Sequence, residues 1–287
     1  MSTKNCLPLI DLATKQSPST ISSTQTALHQ FGAFRLVAPK LTQQCLHSVF
    51  QDARAFLSAR GFFQLPTQVK EKTRGYSAFD SELVRGKTPI PKETVYFNKK
   101  GAENEYSPPL GFQCSVEALH DPRANSSHEK EWTNLRSQLF STLSSILDSK
   151  ESLIGTPSLD YESLGVNFYD SDRLGDRVHF SPAHMDSGTL TILVRAREAC
   201  DGLEIADLRT TDKLDSEGIG LDASFISVPA LPDEVIVLAG TRLQRLLGRS
   251  KVRACVHRVR SPTQTSCNRC IANDRLSLAI FCGPPMK

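Results

Sequence analysis

Two apolar rhythms divide the chain. In the first half the clearest repeats are helical. Cys45, Leu46, Val49, Phe50, Ala53, Phe56 and Leu57 recur at helical spacing, and Gly61 stands where a C-terminal cap belongs. Trp132, Leu135, Leu139, Leu143 and Leu147 form a second stripe, opened by Ser126 or Ser127 as N-cap. Ser19 to Gln30 is Ser/Thr-rich and then helix-like. Leu7 to Leu12 and Gly32 to Val37 read as short strands. Between Tyr76 and Asn125 the pattern breaks into a stretch rich in Pro, Gly and charge, too long for an idle connection.

From Leu164 onward the period shortens to two. Gly165–Tyr169, His184–Val194, Gly202–Ala206, Ser224–Val228, Glu234–Ala239, Lys251–Val259 and Arg275–Phe281 each read as a strand. The polar stretch from Asp207 to Asp222 reads as a surface insertion. Many short strands without long intervening helices predict a sandwich or a jelly roll. In the last strand Arg275, Ser277, Ala279 and Phe281 face one way and Leu276, Leu278 and Ile280 the other. The second face is as apolar as the first, so both faces are expected to be covered.

Composition narrows the class without naming a chemistry. At 287 residues the chain makes one large domain or two small ones, with a core that needs no staples. A formal net charge of +3 argues for neither a nucleic-acid nor a membrane partner. The N-terminus lacks the apolar run of a signal peptide, and no stretch approaches a membrane span. The eight cysteines are scattered, which fits reduced thiols in a cytoplasmic protein. Cys267 and Cys270 form a single Cys-x-x-Cys with no second pair at matching spacing, so they read as an incidental loop pair.

Candidate chemistry begins at Phe180-Ser-Pro-Ala-His184-Met-Asp186. In an extended chain residues two apart point to the same side, so His184 and Asp186 can face one point in space. With a further histidine they would make a 2-His-1-carboxylate triad, the ligand set of non-heme Fe(II) oxygenases, which leaves one face of the metal open. His257, 71 residues after Asp186, lies in a different strand and is the candidate third ligand. On the last strand Arg275 and Ser277 form a donor pair suited to a carboxylate. Asn167 and Tyr169 share a strand face and offer further donors.

Taken together these residues resemble the 2-oxoglutarate/Fe(II)-dependent dioxygenases of the isopenicillin N synthase-like type, over most of the chain. The leader resembles that family's at Leu7-Pro-Leu-Ile-Asp11, Gly32-Ala-Phe-Arg-Leu36 and Phe62-Phe-Gln-Leu-Pro66. Asn167-Phe-Tyr169 looks like its Asn-x-Tyr element. His184-x-Asp186 and His257-Arg-Val259 look like its iron ligands, Gly240-Thr-Arg-Leu-Gln244 like the turn before the last ligand, and Arg275-x-Ser277 like its 2-oxoglutarate clamp. The sequence departs from the family at Thr241, where an aspartate is usual, and at Ala38-Pro39, where His-Gly is common.

The resemblance implies a mainly β fold with flanking helices, built on a distorted double-stranded β-helix (jelly roll). Residues 1–160 would form the leader and substrate-side loops, and residues 161–287 the oxygenase core. It implies Fe(II) on His184, Asp186 and His257, and 2-oxoglutarate on the iron and Arg275, with Ser277, Tyr169 and Asn167 as further donors. Oxygen would be consumed in the oxidation of a C–H bond of a small molecule, by hydroxylation, desaturation, cyclisation or ring expansion, in specialised-metabolite biosynthesis. Arg85, Lys92 and Tyr96, in the Pro/Gly-rich segment, are the candidate substrate contacts. Two other readings stay open: an Fe(II) oxidase that uses no 2-oxoglutarate, and a non-catalytic jelly-roll binding module.

Overall fold

Strand alternation in the second half of the chain becomes two facing sheets in the computed structural model, which describes residues 6–11, 17–37, 50–51, 75–84, 88–98, 161–170, 173–195, 202–210, 223–229, 231, 233–261 and 275–282. The described elements are, in chain order, β1 (Leu9–Ile10), α1 (Pro18–Gln30), β2 (Ala33–Val37), β3 (Gly75–Ser77), β4 (Leu83–Val84), β5 (Thr88–Pro89), β6 (Glu93–Asn98) and β7 (Tyr161–Tyr169). They continue with β8 (His179–His184), β9 (Leu190–Arg195), β10 (Leu203–Asp207), β11 (Ser224–Ser227), β12 (Glu234–Ala239), α2 (Thr241–Leu247), β13 (His257–Arg260) and β14 (Arg275–Cys282). The expected helix over residues 126–147, all of the one over 45–57 except Phe50 and Gln51, which are helical, residues 211–222 of the expected 207–222 insertion, Arg85 and the Cys267/Cys270 pair lie outside the described residues. Asp207, the expected start of that surface insertion, instead ends β10 and is buried.

The major sheet has eight strands in the order β1-β2-β12-β9-β14-β7-β6-β3, and the minor sheet four in the order β11-β10-β13-β8. The fold is mostly β, with a sheet-rich core of the jelly-roll type. Side chains from both sheets meet between them: Leu193, Ile236, Leu238 and Ala279 from the major sheet pack with Leu203, Ile205 and Ile226 from the minor one. β14 lies between β9 and β7, and every residue from Arg275 to Ile280 is buried. This is the two-sided covering expected from its apolar alternation. β2, β3 and β6, from the first part of the chain, extend the same major sheet.

Local chemistry explains the element ends. The Ser17 hydroxyl accepts from the Thr20 amide at 3.1 Å, and Pro18 follows it inside the first turn, so α1 starts slightly ahead of the expected Ser19. α1 buries Thr24, Ala27 and Leu28.

Two strand expectations are corrected and one expected turn is extended. The stretch from His184 to Val194 is two strands, one in each sheet, because the chain leaves β8 at His184 and re-enters at Leu190. Residues 251–256 are not strand, so β13 begins at His257 itself. The Gly240–Gln244 turn continues into the helix α2. In both strand cases a hydrogen bond to a different part of the fold replaces the ladder bond that strand composition favours. The Thr241 amide binds the Asp186 carbonyl, and the Cys255 amide binds the Ala239 carbonyl.

Candidate active site

A cavity of about 570 Å³ opens between the two sheets, and His184, Asp186, His257, Arg275 and Ser277 all line it. His184 ends β8 and His257 opens β13, and the two are direct cross-strand partners in the minor sheet. Their rings stand 4.2 Å apart between centroids, tilted by 49°.

Asp186 lies just past the end of β8, and the start of α2 holds its turn in place. The Thr241 amide donates to the Asp186 carbonyl at 2.8 Å, the Gly240 amide to Thr189 at 3.0 Å, and the Arg242 amide to Gly188 at 3.2 Å. Gly240 is required by this approach, since a Cβ there would sit 2.1 Å from the Gly188 carbonyl oxygen and 3.1 Å from that of Asp186. Gly240→Ala is therefore expected to displace the Asp186 turn and to cost about 1–3 kcal/mol, as overpacking does. Urea unfolding of the variant checks this; an unchanged midpoint would mean the turn has slack. Gln244 secures the other side, its side-chain carbonyl accepting from the Ala254 amide at 2.8 Å ahead of His257. Thr241, in the place of the family's usual aspartate, reaches the Ser187 carbonyl at 3.4 Å.

The three side chains converge. His184 Nε2 lies 3.9 Å from Asp186 Oδ1, and His257 Nε2 lies 4.0 Å from the same oxygen. All three candidate ligand atoms fall within 4.8 Å of one another. His184 Nδ1 is 2.8 Å from the Pro182 carbonyl and His257 Nδ1 is 3.3 Å from the Cys255 carbonyl. A carbonyl can only accept, so each Nδ1 carries a proton and each Nε2 is turned toward Asp186. Thr191 Oγ1 donates to Asp186 Oδ2 at 2.6 Å and leaves Oδ1 facing the histidines.

Burial, with His257 beside it, pulls His184 down to about 4 against the opposing pull of Asp186, so its imidazole is neutral at pH 7. For Asp186 burial acts upward, but His257, His184 and the Thr191 hydroxyl outweigh it and hold the carboxyl below its usual range. Two imidazoles and one carboxylate, aimed at one point beside a cavity, fit a divalent first-row metal with open positions.

A second donor set lies on the adjoining strands of the major sheet. Arg275 pairs across the ladder with Tyr169, and Ser277 with Asn167, so the two shared faces read from the sequence are one surface. Arg275 is 2% exposed. Its Nη1 donates to Ser277 Oγ at 3.3 Å, and its guanidinium lies 4.8 Å from the Tyr169 ring centroid. Arg195, opposite Ser277 on β9, donates to the Val228 and Pro229 carbonyls at 2.6 and 2.8 Å. Burial and the nearby Arg275 push Arg195 down to about 9. The Arg275 guanidinium with the Ser277 hydroxyl, on the cavity wall, is a donor set that fits a carboxylate. Arg195 is missing from the sequence reading; its signal was a cation at the end of an otherwise apolar strand.

Of the expected substrate contacts, Lys92 and Tyr96 line the cavity, together with Glu82, Leu83, Val84 and Ile90. Arg85 falls outside the described residues. Asn167 Oδ1 accepts from Lys92 Nζ at 2.8 Å and from Thr94 Oγ1 at 3.0 Å, which orients the amide and leaves its NH2 as a donor. The Glu82 contact was not anticipated, because an acid in a loop carries no sequence signal of burial.

Residues 161–284 match the model of the 2OG-Fe(II) oxygenase superfamily, and residues 7–114 that of the N-terminal region of non-haem dioxygenases in morphine synthesis. The chain belongs to the 2OG-Fe(II) oxygenase superfamily. It is an oxygenase whose cofactors are Fe(II) and 2-oxoglutarate, with O2 as co-substrate. The isopenicillin N synthase-like resemblance is consistent with this membership.

No curated protein sequence matches this oxygenase. Solved structures do. The full-length thymine hydroxylase of Neurospora crassa, in complex with alpha-KG and thymine, superposes with a TM-score of 0.68 at 19% identity, over 99% of this chain and 88% of that one. The rice dioxygenase for auxin oxidation gives 0.64 at 19% identity, over 97% and 83%. JOX2 in complex with 2OG, Fe and JA gives 0.68 at 18% identity, over 99% and 78%. At these identities the likeness is one of fold. No helix among the described residues is long and apolar enough to cross a membrane.

Proposed function

We propose that His184, Asp186 and His257 hold Fe(II), and that Arg275 and Ser277 hold the distal carboxylate of 2-oxoglutarate with Tyr169 and Asn167 as further donors. The enzyme then oxidises a C–H bond of a small molecule, by hydroxylation, desaturation, cyclisation or ring expansion, in specialised-metabolite biosynthesis. The observation that carries the reading is that three ligand atoms within 4.8 Å share one cavity with the Arg275–Ser277 pair. When bound, the iron supplies oxygen activation coupled to decarboxylation of 2-oxoglutarate.

The chain's own residues do the positioning. The Pro182 and Cys255 carbonyls hold the imidazole Nδ1 atoms, Thr191 orients the carboxylate, and Arg275 with Ser277 orients the co-substrate. On this reading residues 161–287 supply the iron and co-substrate core, and residues 1–160 supply the substrate-side wall through Glu82, Leu83, Val84, Ile90, Lys92 and Tyr96. Small-molecule substrates, thymine and JA, are named in the complexes of two of the similar structures.

The test is oxygen uptake and succinate formation by purified enzyme with Fe(II), ascorbate and 2-oxoglutarate, followed by a screen of candidate substrates for mass change. Oxygen uptake without succinate would identify an oxidase that uses no 2-oxoglutarate. Absence of uptake under every condition would leave a binding module.

Thr191→Val tests the support around the metal. It keeps the shape of the side chain and removes the hydroxyl that donates to Asp186 Oδ2. Loss of such a partner typically weakens metal affinity by about 10–100-fold. Titration of the apo-protein with Fe(II) or Mn(II) measures it, and an unchanged affinity would show that Asp186 needs no such support.

A further inference from the structure

Lys92 immediately precedes β6 and lines the same cavity as the His184–Asp186–His257 cluster. Its side chain is 12% exposed. The ammonium donates to Asn167 Oδ1 at 2.8 Å and meets Glu82 Oε2 at 3.1 Å. Glu82 is occupied on both sides, since its Oε1 accepts the Tyr96 hydroxyl at 2.8 Å. An ammonium has three N–H groups. Among the described residues two have acceptors, and the space beside the third is the cavity.

Lys92 also keeps its charge. Burial acts to lower its pKa, but Tyr96, Glu82 and Tyr169 around it outweigh burial and raise it. Its field reaches His184 and Asp186, so the ammonium acts within range of the triad. A charged donor facing an enclosed space is costly to leave without an acceptor, and a ligand there supplies one.

Charge balance selects the kind of acceptor. Glu82 already neutralises Lys92. A carboxylate brought to the third N–H would be drawn by the ammonium but opposed by Glu82, which weakens the net attraction. A carbonyl oxygen takes the N–H without that repulsion. The neighbouring walls are apolar: Leu83, Val84, Ile90 and Met185.

We propose that Lys92 determines substrate specificity: its uncommitted N–H takes the carbonyl oxygen of a neutral ketone, lactone or amide, whose apolar remainder lies against Leu83, Val84 and Ile90. This contact sets which C–H bond faces the triad. The inference rests on the iron and 2-oxoglutarate reading above.

The test uses enzyme loaded with Fe(II) and 2-oxoglutarate and a panel of cyclic and aryl-alkyl ketones and lactams. Each probe is run beside its matched hydrocarbon and matched carboxylic acid, and succinate is measured. Ketones or lactams are expected to stimulate succinate formation with a KM at least about tenfold below that of their counterparts, as one charge-assisted hydrogen bond allows. Lys92→Met alone would leave Glu82 buried without its counter-charge, so the decisive variant is Lys92→Met/Glu82→Gln, which removes both charges together. It is expected to erase the preference for carbonyl over hydrocarbon, whereas a merely structural role would shift both KM values alike. Lys92→Arg, which keeps a cationic donor, is expected to retain part of the preference.

The proposal is overturned if wild-type enzyme prefers no carbonyl probe over its hydrocarbon, if the acids are preferred, or if the double variant keeps the carbonyl preference. Failure of the underlying reading looks different. Wild-type enzyme would then form no succinate under any condition, and the Lys92 assignment would fall with it.

Discussion

His184→Ala or Asp186→Ala abolishes turnover while the protein stays folded. The two residues supply two of three ligand atoms gathered within 4.8 Å, and removing either leaves at most two protein ligands for the metal. Three ligands on one face are the minimum that both holds a first-row ion and leaves positions open for chemistry. The fold does not depend on them. The His184 side chain is 25% exposed and borders the cavity, so its loss widens an existing space rather than opening a void in the core. The packing between the sheets is carried by Leu193, Leu203, Ile205, Ile236 and Leu238 instead. Metal content after Fe(II) loading, succinate formation and the thermal midpoint distinguish the outcomes. Loss of metal and turnover at a near-wild-type midpoint is the expected set, and full activity in either variant would remove the triad.

Arg275→Leu raises the 2-oxoglutarate requirement by at least roughly a hundredfold and spares iron binding. Arg275 is buried on β14 beside Ser277 and against Tyr169, on the wall of the cavity that holds the triad. A guanidinium there offers two parallel donors to a carboxylate. Removing one member of a buried charge pair costs about 3–5 kcal/mol, which is about two to four orders of magnitude in affinity. Arg275 is not a ligand of the triad, so Fe(II) affinity should not change. Titrating 2-oxoglutarate into anaerobic ferrous enzyme measures the first quantity and metal analysis the second. Normal turnover in Arg275→Leu with no succinate formed would assign the enzyme to the oxidases that bypass 2-oxoglutarate.

Much of the site chemistry was legible in the sequence where two of its residues shared one strand, although Thr191 and Arg195 on β9 were not. A strand's period of two is a local property, so the shared faces of Asn167 with Tyr169 and of Arg275 with Ser277 follow from numbering alone. The same rule marks Leu276, Leu278 and Ile280 as a second buried face, and all three are buried. The glutamine of Gly240-Thr-Arg-Leu-Gln244 was visible as part of a motif, but its task, accepting from the Ala254 amide ahead of His257, is a contact between segments and was not.

Sequence by itself determined the residue types of the site, the mainly β class and the sharing of faces within each strand, because these depend on side-chain chemistry and backbone period. Tertiary structure decided everything that joins distant segments. It placed His257 opposite His184 in one ladder and Arg275 opposite Tyr169 in another. It broke the expected strand after His184, because the Asp186 carbonyl is bound by the first turn of α2, more than fifty residues later in the chain. It also brought Glu82 under Lys92, giving a loop lysine a buried counter-charge. Pairing register, burial and counter-charge are set by which segments meet, and no local period encodes that meeting.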